Sequence, residues 1–305
     1  MRCGFIGLGH IGKFLAGSLL RNGFEVTVYD LNVDAAAPLV AKGAKLAGSI
    51  KELCDASDTV FTCLPSPRAI DAVVAGNGGV IESLAGRATR ATWIDMSTND
   101  QDETLRLGAM CEAQGINVLE SPVTGGVHKA AHGDITVLVG GEQDVFKAHE
   151  KALNAMGQPV LYIGKLGSAA VIKVITNMLA FIHLVAAGEA LMLAKRGGLD
   201  LGVAFEAIKQ SSGNSFVHET ESQVILNGSY NINFTMDLAL KDMGFALGYG
   251  KEFGVPLALA TLTNEQFVKA KAAYGGEAWS SQVVKLLEDA TGSDLRAPGF
   301  PAELE

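Results

Sequence analysis

The stretch Gly7-Leu8-Gly9-His10-Ile11-Gly12 fits the pattern G-x-G-x-x-G, and its surroundings decide the fold. It follows the apolar run Arg2–Ile6 and leads into Ile11–Asn22, whose apolar residues recur at helical spacing. The first glycine permits a tight turn, the second lets the backbone approach a pyrophosphate, and the third allows close helix packing. The stretch therefore predicts a strand–turn–helix unit that binds a dinucleotide, with His10 and Ile11 in the same turn.

An acidic residue follows the second candidate strand, Glu25–Tyr29. This residue is Asp30, and it lies about 20 residues after the glycine fingerprint. A carboxylate at this point accepts hydrogen bonds from the ribose hydroxyls of NAD and repels the 2′-phosphate of NADP. No arginine follows Asp30 closely. We therefore expect NAD as the cofactor, with NADP as the less favoured alternative.

The first half of the chain alternates short apolar runs with helical patterns, which is typical of a parallel sheet covered by helices. Leu64-Pro65 follows one of these runs, and Ser97-Thr98 follows the next. Ligands of doubly wound sheets lie beyond the carboxyl ends of the strands, so these residues are expected to contact the cofactor. Helix capping is an equally good interpretation of the two hydroxyl side chains. The strand candidates after the second are Thr59–Cys63, Thr92–Asp95, Asn117–Glu120 and Thr136–Val139.

The pattern changes near Gly164, which predicts two domains. Residues 1–164 are expected to form a Rossmann-type, doubly wound parallel sheet of the α/β class. Residues 165–292 are expected to form an all-helical domain for substrate binding and oligomerisation, joined by one long helix over 168–196. Residues 293–305 contain two prolines and few large apolar groups, so we expect a loose tail. The other helix candidates are Leu201–Ser211, Met236–Phe253, Ala258–Tyr274 and Ser281–Leu287.

Composition excludes several classes of function. The formal net charge is -9, without a cluster of Lys and Arg, which argues against nucleic acid as a partner. The four cysteines are scattered and are expected to be reduced, buried thiols, so no metal site is predicted. The most apolar stretch is interrupted by charged and polar residues that a membrane span would rarely tolerate, and the first residues do not resemble a secretory signal. We expect a cytoplasmic protein.

Two further stretches carry polar residues suited to a substrate. Glu120-Ser121-Pro122-Val123-Thr124-Gly125-Gly126 follows a strand candidate, and its glycine pair and hydroxyl groups could bind a carboxylate; a bare turn would use the same residues. Lys173 and Asn177 lie one turn apart on the long apolar helix, so they share one face. Desolvation there would lower the pKa of the lysine and suit it to proton transfer, although a lysine that extends to the surface is an equally good interpretation.

The whole chain, from Gly4 to about Ala273, resembles the β-hydroxyacid dehydrogenase family, which includes 3-hydroxyisobutyrate dehydrogenase. Four motifs match in the family's order: the fingerprint, the substrate motif that is usually Asp-Ala-Pro-Val-Ser-Gly-Gly, a catalytic motif and a final Lys-Asp pair. In this chain they are Gly7, Gly9 and Gly12; Glu120 to Gly126; Gly164, Gly167, Lys173 and Asn177; and Lys241-Asp242.

The resemblance implies an NAD-dependent oxidoreductase that interconverts a small 3-hydroxy carboxylate and its semialdehyde. It implies that Lys173 is the general acid/base, that Asn177 binds substrate and that Lys241 lies near the nicotinamide. Ser121, Thr124, Gly125 and Gly126 are implied contacts of the substrate, and Phe234 is expected to line the pocket. Family members form dimers and tetramers, so a homodimer or homotetramer is expected here.

This chain departs from the family pattern at a few positions, and two other functions remain open. Glu120-Ser121 replaces the usual Asp-Ala, and a solvated loop histidine is the alternative to a cofactor contact by His10. His128, Lys129 and His132 could bind a second anionic group, but ordinary surface positions on a helix are the favoured interpretation. An imine reductase of the same fold is the first alternative function, although such enzymes generally lack the lysine. A non-catalytic NAD-binding module is the second.

Overall fold

The computed structural model describes residues 1–304 of the 305-residue chain. The predicted α/β class with a helical second part is confirmed. The chain divides into two compact units, residues 1–173 (unit 1) and the residues from 174 onward (unit 2). This division falls inside the long helix, later in the chain than the boundary predicted after Gly164.

Unit 1 is built on one sheet. Its strands are β1 (Arg2–Ile6), β2 (Glu25–Tyr29), β3 (Lys45–Leu46), β4 (Thr59–Thr62), β5 (Thr92–Asp95), β6 (Asn117–Glu120), β7 (Val123–Thr124), β8 (Thr136–Gly141) and β9 (Val160–Gly164). The spatial order is β3-β2-β1-β4-β5-β6-β8-β7, with β9 paired to β8. The strands from β3 to β6 pair in parallel, and the direction of strand succession reverses between β1 and β4. Doubly wound sheets bind their ligands at such a reversal, beyond the carboxyl ends of the strands.

Helices cover both faces of this sheet, so its central strands are buried throughout. Phe5 and Phe61 on neighbouring strands stack with ring centroids 6.0 Å apart, and Leu15 and Leu19 pack on the same face. Trp93 belongs to the cluster on the other face. The helices of unit 1 are α1 (Gly12–Arg21), α2 (Ala37–Val40), α3 (Ile50–Asp55), α4 (Pro67–Val74), α5 (Val80–Leu84), α6 (Gln101–Ala113), α7 (Gly126–His132) and α8 (Gln143–Met156).

The far end of the sheet differs from a purely parallel arrangement. Strand β8 is antiparallel to both β6 and β7, and parallel to β9. Strands β3, β7 and β9 were not predicted from the sequence. The first two contain only two residues each, too few for a recognisable pattern, whereas β9 does carry an apolar run, over 160–163, that was missed.

Unit 2 is all helical. The long helix α9 (Ser168–Arg196) starts in unit 1 and continues into unit 2. It is followed by α10 (Leu201–Lys209), α11 (Phe216–Asn227), α12 (Met236–Glu252), α13 (Ala258–Tyr274), a 3-10 turn at Ser280–Val284 and α14 (Lys285–Thr291). Phe181, Phe267 and Met243 lie in its core. Helix α11 was not predicted. It begins after Ser215, whose side chain accepts the N–H of His218.

Helix α9 has the length and the composition of a membrane span, with a mean hydropathy of 1.9 in its most apolar window. One such helix is weak evidence for a membrane protein, because long core helices of other proteins have the same properties. Only 33% of that window is buried. The helix therefore leaves much apolar surface uncovered.

The described part of the predicted tail, residues 293–304, is not loose. Leu295 is fully buried in the core of unit 2, and Ala297 donates its N–H to the carbonyl of Leu226 at 3.0 Å. Arg296 contacts Glu288 at 2.9 Å, and the same buried carboxylate accepts a hydrogen bond from the hydroxyl of Tyr230. One leucine and one ion pair are too short a pattern to signal this packing in the sequence.

Candidate active site

The glycine fingerprint forms the turn between β1 and α1. Gly7 has φ +95, and a Cβ there would lie 2.3 Å from the carbonyl oxygen of Cys63. A Cβ on Gly12 would lie 2.0 Å from the carbonyl oxygen of Gly7, so the helix can start this close only with glycine. A Cβ on Gly9 would meet no atom of the chain within 4 Å. The backbone at Gly9 therefore faces open space at a helix N-terminus, which fits the pyrophosphate of a dinucleotide.

Asp30 is fixed beside this turn at the end of β2. Its Oδ2 accepts the N–H of Leu8 at 2.6 Å, and its Oδ1 accepts the N–H of Asn32 at 2.8 Å. A carboxylate has about four lone-pair sites, so both oxygens retain capacity for ribose hydroxyls. The neighbouring Leu31 is 90% exposed.

Ser97 joins the loops that follow β4 and β5. Its hydroxyl accepts the N–H of Leu64 at 2.9 Å and donates to Asp95 Oδ1 at 2.6 Å. Thr62 donates to the same oxygen at 2.9 Å. The alternative of helix capping is not what the structure shows, because the residue that caps α6 is Asp100. Asp95, the buried centre of this network, was not predicted as a site residue, since its only signal in the sequence was an acid at a strand end.

The remaining predicted cofactor residues in unit 1 lie around the same strand ends with different exposure. His10 and Pro65 are exposed, whereas Ile11 and Thr98 are partly buried.

The predicted substrate segment follows β6. The N–H of Ser121 donates to the carbonyl of Asp95 at 2.5 Å, and its side chain is fully buried. Within residues 1–304 the Ser121 hydroxyl has no hydrogen-bond partner. Thr124 forms part of β7 and pairs with Thr136, and Gly125 follows with φ +130, a conformation that disfavours other residues.

Two basic side chains lie against the glycine pair of this segment. A Cβ on Gly125 would lie 3.1 Å from Cδ of Lys129, and one on Gly126 would lie 3.0 Å from Cε1 of His128. Both side chains are partly buried, whereas His132 is exposed. His128 and Lys129 are therefore close to the glycine pair that is predicted to bind the substrate carboxylate.

Lys173 is buried on the second turn of α9, with 7% of its surface exposed. The first turn of that helix is held by Glu120 from the end of β6. Glu120 Oε1 accepts the N–H of Ala169 and Oε2 accepts the N–H of Ala170, each at 2.9 Å. Burial raises the pKa of the Glu120 carboxyl to about 7, although the backbone donors act in the opposite direction. From the sequence, Glu120 was recognised only as a departure from the family motif, and its contact with α9 was not predicted.

Asn177 and Lys241 are brought together in unit 2 by Asp242. Asn177 Nδ2 donates to Asp242 Oδ2 at 2.6 Å, and Lys241 Nζ lies 2.9 Å from Asp242 Oδ1. Asp242 is buried, with 1% exposed. Phe234 packs against Phe181 with ring centroids 6.0 Å apart. Asp242 was predicted only as the neighbour of Lys241, whereas it is the shared partner of Asn177 and Lys241.

Within residues 1–304 no group of three or more His, Cys, Asp or Glu side chains is arranged to hold a metal ion. The chemistry available from these side chains is proton transfer by a buried lysine, hydrogen bonding by an amide and hydroxyls, and binding of anions by backbone N–H groups.

Two family models match the chain and together cover most of it. Residues 2–164 match a family model described as the NAD binding domain of 6-phosphogluconate dehydrogenase. Residues 167–287 match one described as NAD-binding of NADP-dependent 3-hydroxyisobutyrate dehydrogenase.

Individual relatives cover nearly the whole chain. It is 33% identical to 2-(hydroxymethyl)glutarate dehydrogenase of Eubacterium barkeri over 294 residues, 96% of each protein. It is 31% identical to 3-hydroxyisobutyrate dehydrogenase of Pseudomonas aeruginosa, over 91% of this chain and 95% of that one. A solved structure of 3-hydroxyisobutyrate dehydrogenase from Salmonella typhimurium has a TM-score of 0.85 and 30% identity, and the match covers 94% of this chain and 99% of that one.

Proposed function

Because this chain belongs to the β-hydroxyacid dehydrogenase family, we propose that it interconverts a small 3-hydroxy carboxylate and the corresponding semialdehyde, with Lys173 as the acid/base. The coarser statement is already established: the chain is an NAD(P)-dependent dehydrogenase of hydroxy acids. The observation that carries the finer proposal is the burial of Lys173 on α9, one turn before Asn177.

Lys173 handles the proton. In the direction of oxidation its neutral amine takes the proton of the substrate hydroxyl, and a carbonyl forms at the carbon that bore this group. In reduction the ammonium returns the proton to the same oxygen. The bound nicotinamide accepts or supplies the hydride. Because Lys173 is buried, its proton is shielded from bulk water during this exchange.

The substrate carboxylate is held by the segment after β6. Thr124 supplies a hydroxyl, and Gly125 and Gly126 supply backbone N–H groups without a side chain in the way. Asn177 offers an amide on the same helix as Lys173, and Asp242 fixes the orientation of that amide. Asp30 favours NAD over NADP by occupying the ribose end of the site with a negative charge.

The two basic side chains against the glycine pair bear on which carboxylates the site could accept. Lys129 and His128 would stabilise a second anionic group on the substrate. The Eubacterium barkeri relative acts, by its name, on a dicarboxylate. We therefore include dicarboxylates beside monocarboxylates such as 3-hydroxyisobutyrate among the candidate substrates.

Steady-state rates test the proposal directly. Initial rates with NAD and NADP are measured against a panel of 3-hydroxy acids, and with the reduced cofactors against semialdehydes. Wild-type protein, Lys173→Ala and the control Lys151→Ala, a surface lysine on α8, are compared. We expect turnover of at least one panel member, loss of about 1000-fold or more in kcat for Lys173→Ala, and no change in the control.

Two results would overturn it. Undiminished turnover by Lys173→Ala would remove the lysine from the reaction. If the wild-type protein binds NADH but turns over no member of the panel, an imine reductase or a non-catalytic NAD-binding module is favoured. Turnover of a cyclic imine would then distinguish imine reduction from a non-catalytic role.

We further propose that the protein is a homodimer or homotetramer. Leu193, Leu199 and Val203 in unit 2 are 76%, 61% and 68% exposed, and Leu259 on α13 is 66% exposed. Such apolar exposure is typical of surfaces that another subunit covers. Light scattering after size exclusion should give a mass of at least twice 31.8 kDa, and a monomer at micromolar concentration would refute it.

A further inference from the structure

We infer that Glu120 is a positioning residue of the reaction, which holds the first turn of α9 and thereby sets where Lys173 meets the substrate segment. The inference rests on the proposed role of Lys173 and goes beyond it, because Glu120 acts through the helix and touches neither substrate nor cofactor. All the contacts that support it lie within unit 1.

The first link is between the carboxylate and the helix. The first N–H groups of any α-helix have no partner in the helix itself. Glu120 satisfies two of them, at Ala169 and Ala170, with one oxygen each at 2.9 Å. Lys173 follows within one turn of both residues, so displacement of this turn displaces the lysine with it.

The second link is between the carboxylate and the substrate segment. Glu120 is the last residue of β6, and the next residue begins the stretch predicted to bind the substrate carboxylate. That next residue, Ser121, is anchored by its N–H to the carbonyl of Asp95 at 2.5 Å. Glu120 therefore connects the start of the segment predicted to bind the substrate carboxylate with the first turn of α9, which carries Lys173.

The third observation is that the fold makes room for this particular acid. A Cβ on Gly140 of β8 would lie 2.2 Å from Glu120 Oε1 and 3.0 Å from its Cγ and Cδ. The glutamate side chain thus fills the space that a side chain at position 140 would need. The family motif usually has aspartate at the position of Glu120, one methylene shorter, so Glu120 and Gly140 form a matched pair in this chain.

Protonation would weaken the link. A neutral carboxyl has one hydroxyl in place of an acceptor oxygen, so it could accept only one of the two N–H groups well. Burial raises the pKa of Glu120 to about 7, and the Asp95 carboxylate on the neighbouring strand raises it too; the backbone N–H groups at the start of α9 lower it. The facing position on β8 is Gly140, which carries no charge.

The experiment compares Glu120→Gln, Glu120→Asp, Gly140→Ala and the double variant Glu120→Asp/Gly140→Ala with wild type. The control is Glu52→Gln, an exposed glutamate that accepts the N–H of Gly48 at 2.8 Å outside the site. For each protein kcat, KM and the pH profile of kcat are measured at saturating cofactor, together with the thermal midpoint and NADH affinity.

We expect Glu120→Gln to lower kcat by about tenfold to a hundredfold, as misplacement of a catalytic group by roughly 1 Å does, with NADH affinity unchanged. The limb of the wild-type pH profile near pH 7 should be lost in this variant. Gly140→Ala should also lower kcat. The double variant should be more active than Gly140→Ala alone, because the shorter acid makes room for the methyl group.

Normal kcat and a wild-type pH profile in Glu120→Gln, beside an inactive Lys173→Ala, would overturn this inference and leave the proposed function intact. Normal activity in Lys173→Ala would refute both the proposed role of Lys173 and the positioning role of Glu120. If Glu120→Gln does not fold, the effects of Glu120→Asp and Gly140→Ala on kcat decide the question. If the loss in the double variant equals the sum of the two single losses, the proposed coupling between Glu120 and Gly140 is wrong.

Discussion

Asn177 donates a hydrogen bond of 2.6 Å to Asp242, and thereby links two helices whose sequence motifs are 65 residues apart. The other oxygen of Asp242 lies 2.9 Å from the ammonium group of Lys241. One buried carboxylate therefore organises two of the polar residues that we assign to the site. Lys241 is the sequence neighbour of Asp242, whereas Asn177 is held by a residue 65 positions away.

Asp242→Asn should destabilise the protein clearly. The substitution keeps the shape of the side chain but leaves Lys241, whose side chain is only 20% exposed, without its buried counter-charge. We expect a loss of about 3 kcal/mol in the free energy of unfolding, measured by urea denaturation. The control is Asp237→Asn, which breaks the half-exposed pair with Lys271 and should cost less than about 1 kcal/mol. Equal losses in the two variants would contradict the role of Asp242.

Gly9→Ala should separate cofactor binding from folding. A methyl group there meets no atom of the chain within 4 Å, so the thermal midpoint should not fall. The same methyl group enters the space assigned to the pyrophosphate, so NADH affinity should fall on the order of tenfold.

Gly12→Ala should instead lower both the thermal midpoint and the NADH affinity, since its Cβ would lie 2.0 Å from the Gly7 carbonyl oxygen. Gly248→Ala on α12, where there is also open space, is the control for affinity. Fluorescence titration with NADH measures the affinity. A normal NADH affinity in Gly9→Ala would refute the proposal that this turn binds the pyrophosphate.

The double variant Asp30→Asn/Leu31→Arg should shift the cofactor preference toward NADP. It removes the charge that repels a 2′-phosphate and adds a cation at a position that is 90% exposed in this chain. The ratio of kcat/KM for NADH to that for NADPH should fall at least about tenfold. Leu31→Arg alone serves as the control. An unchanged ratio in the double variant would show that Asp30 does not select the cofactor.

The stability of the protein should depend on the ionisation of Glu120. Its pKa is raised on folding from 4.5 to about 7, so the folded state binds this proton more tightly than the unfolded state. The contribution to stability is therefore full below about pH 4.5 and is lost as the pH rises through about 7, by at most about 3 kcal/mol. Thermal midpoints of wild type and Glu120→Gln, compared between pH 5 and 8, should diverge accordingly. A constant difference would mean that this carboxyl titrates normally.

Lys129→Met should discriminate between substrate classes. If Lys129 binds a second anionic group, kcat/KM should fall about tenfold for dicarboxylates and little for monocarboxylates of similar size. Lys151→Met is the matched surface control. Equal effects on both classes would remove Lys129 from substrate selection.

The strand–turn–helix unit was predictable because its signals are local. The apolar runs of β1 and β2 were predicted with the bounds that the structure has, and so was α9. Each of these elements is long or strongly apolar, and the fingerprint adds a backbone requirement that few other turns have. The short strands β3 and β7 offered no comparable pattern.

The contacts between motifs were not predictable from spacing. Glu120 reaches residues 49 and 50 positions away, and Ser97 reaches Leu64 across 33 positions. The resemblance to a family named the motif residues but not which of them hold one another. Polar residues at strand ends are common, so Asp95 could not be distinguished from an ordinary strand terminus before the topology of the sheet was known.

The packed segment after α14 affects the order in which the chain can fold during synthesis. Leu295 and Phe300 are among the last residues of a core whose members begin at Met178. Unit 1 has all of its residues available once position 173 has emerged, so it can fold while translation continues. The core of unit 2 is complete only after residue 300 has emerged, so we expect unit 2 to reach its packed state after unit 1.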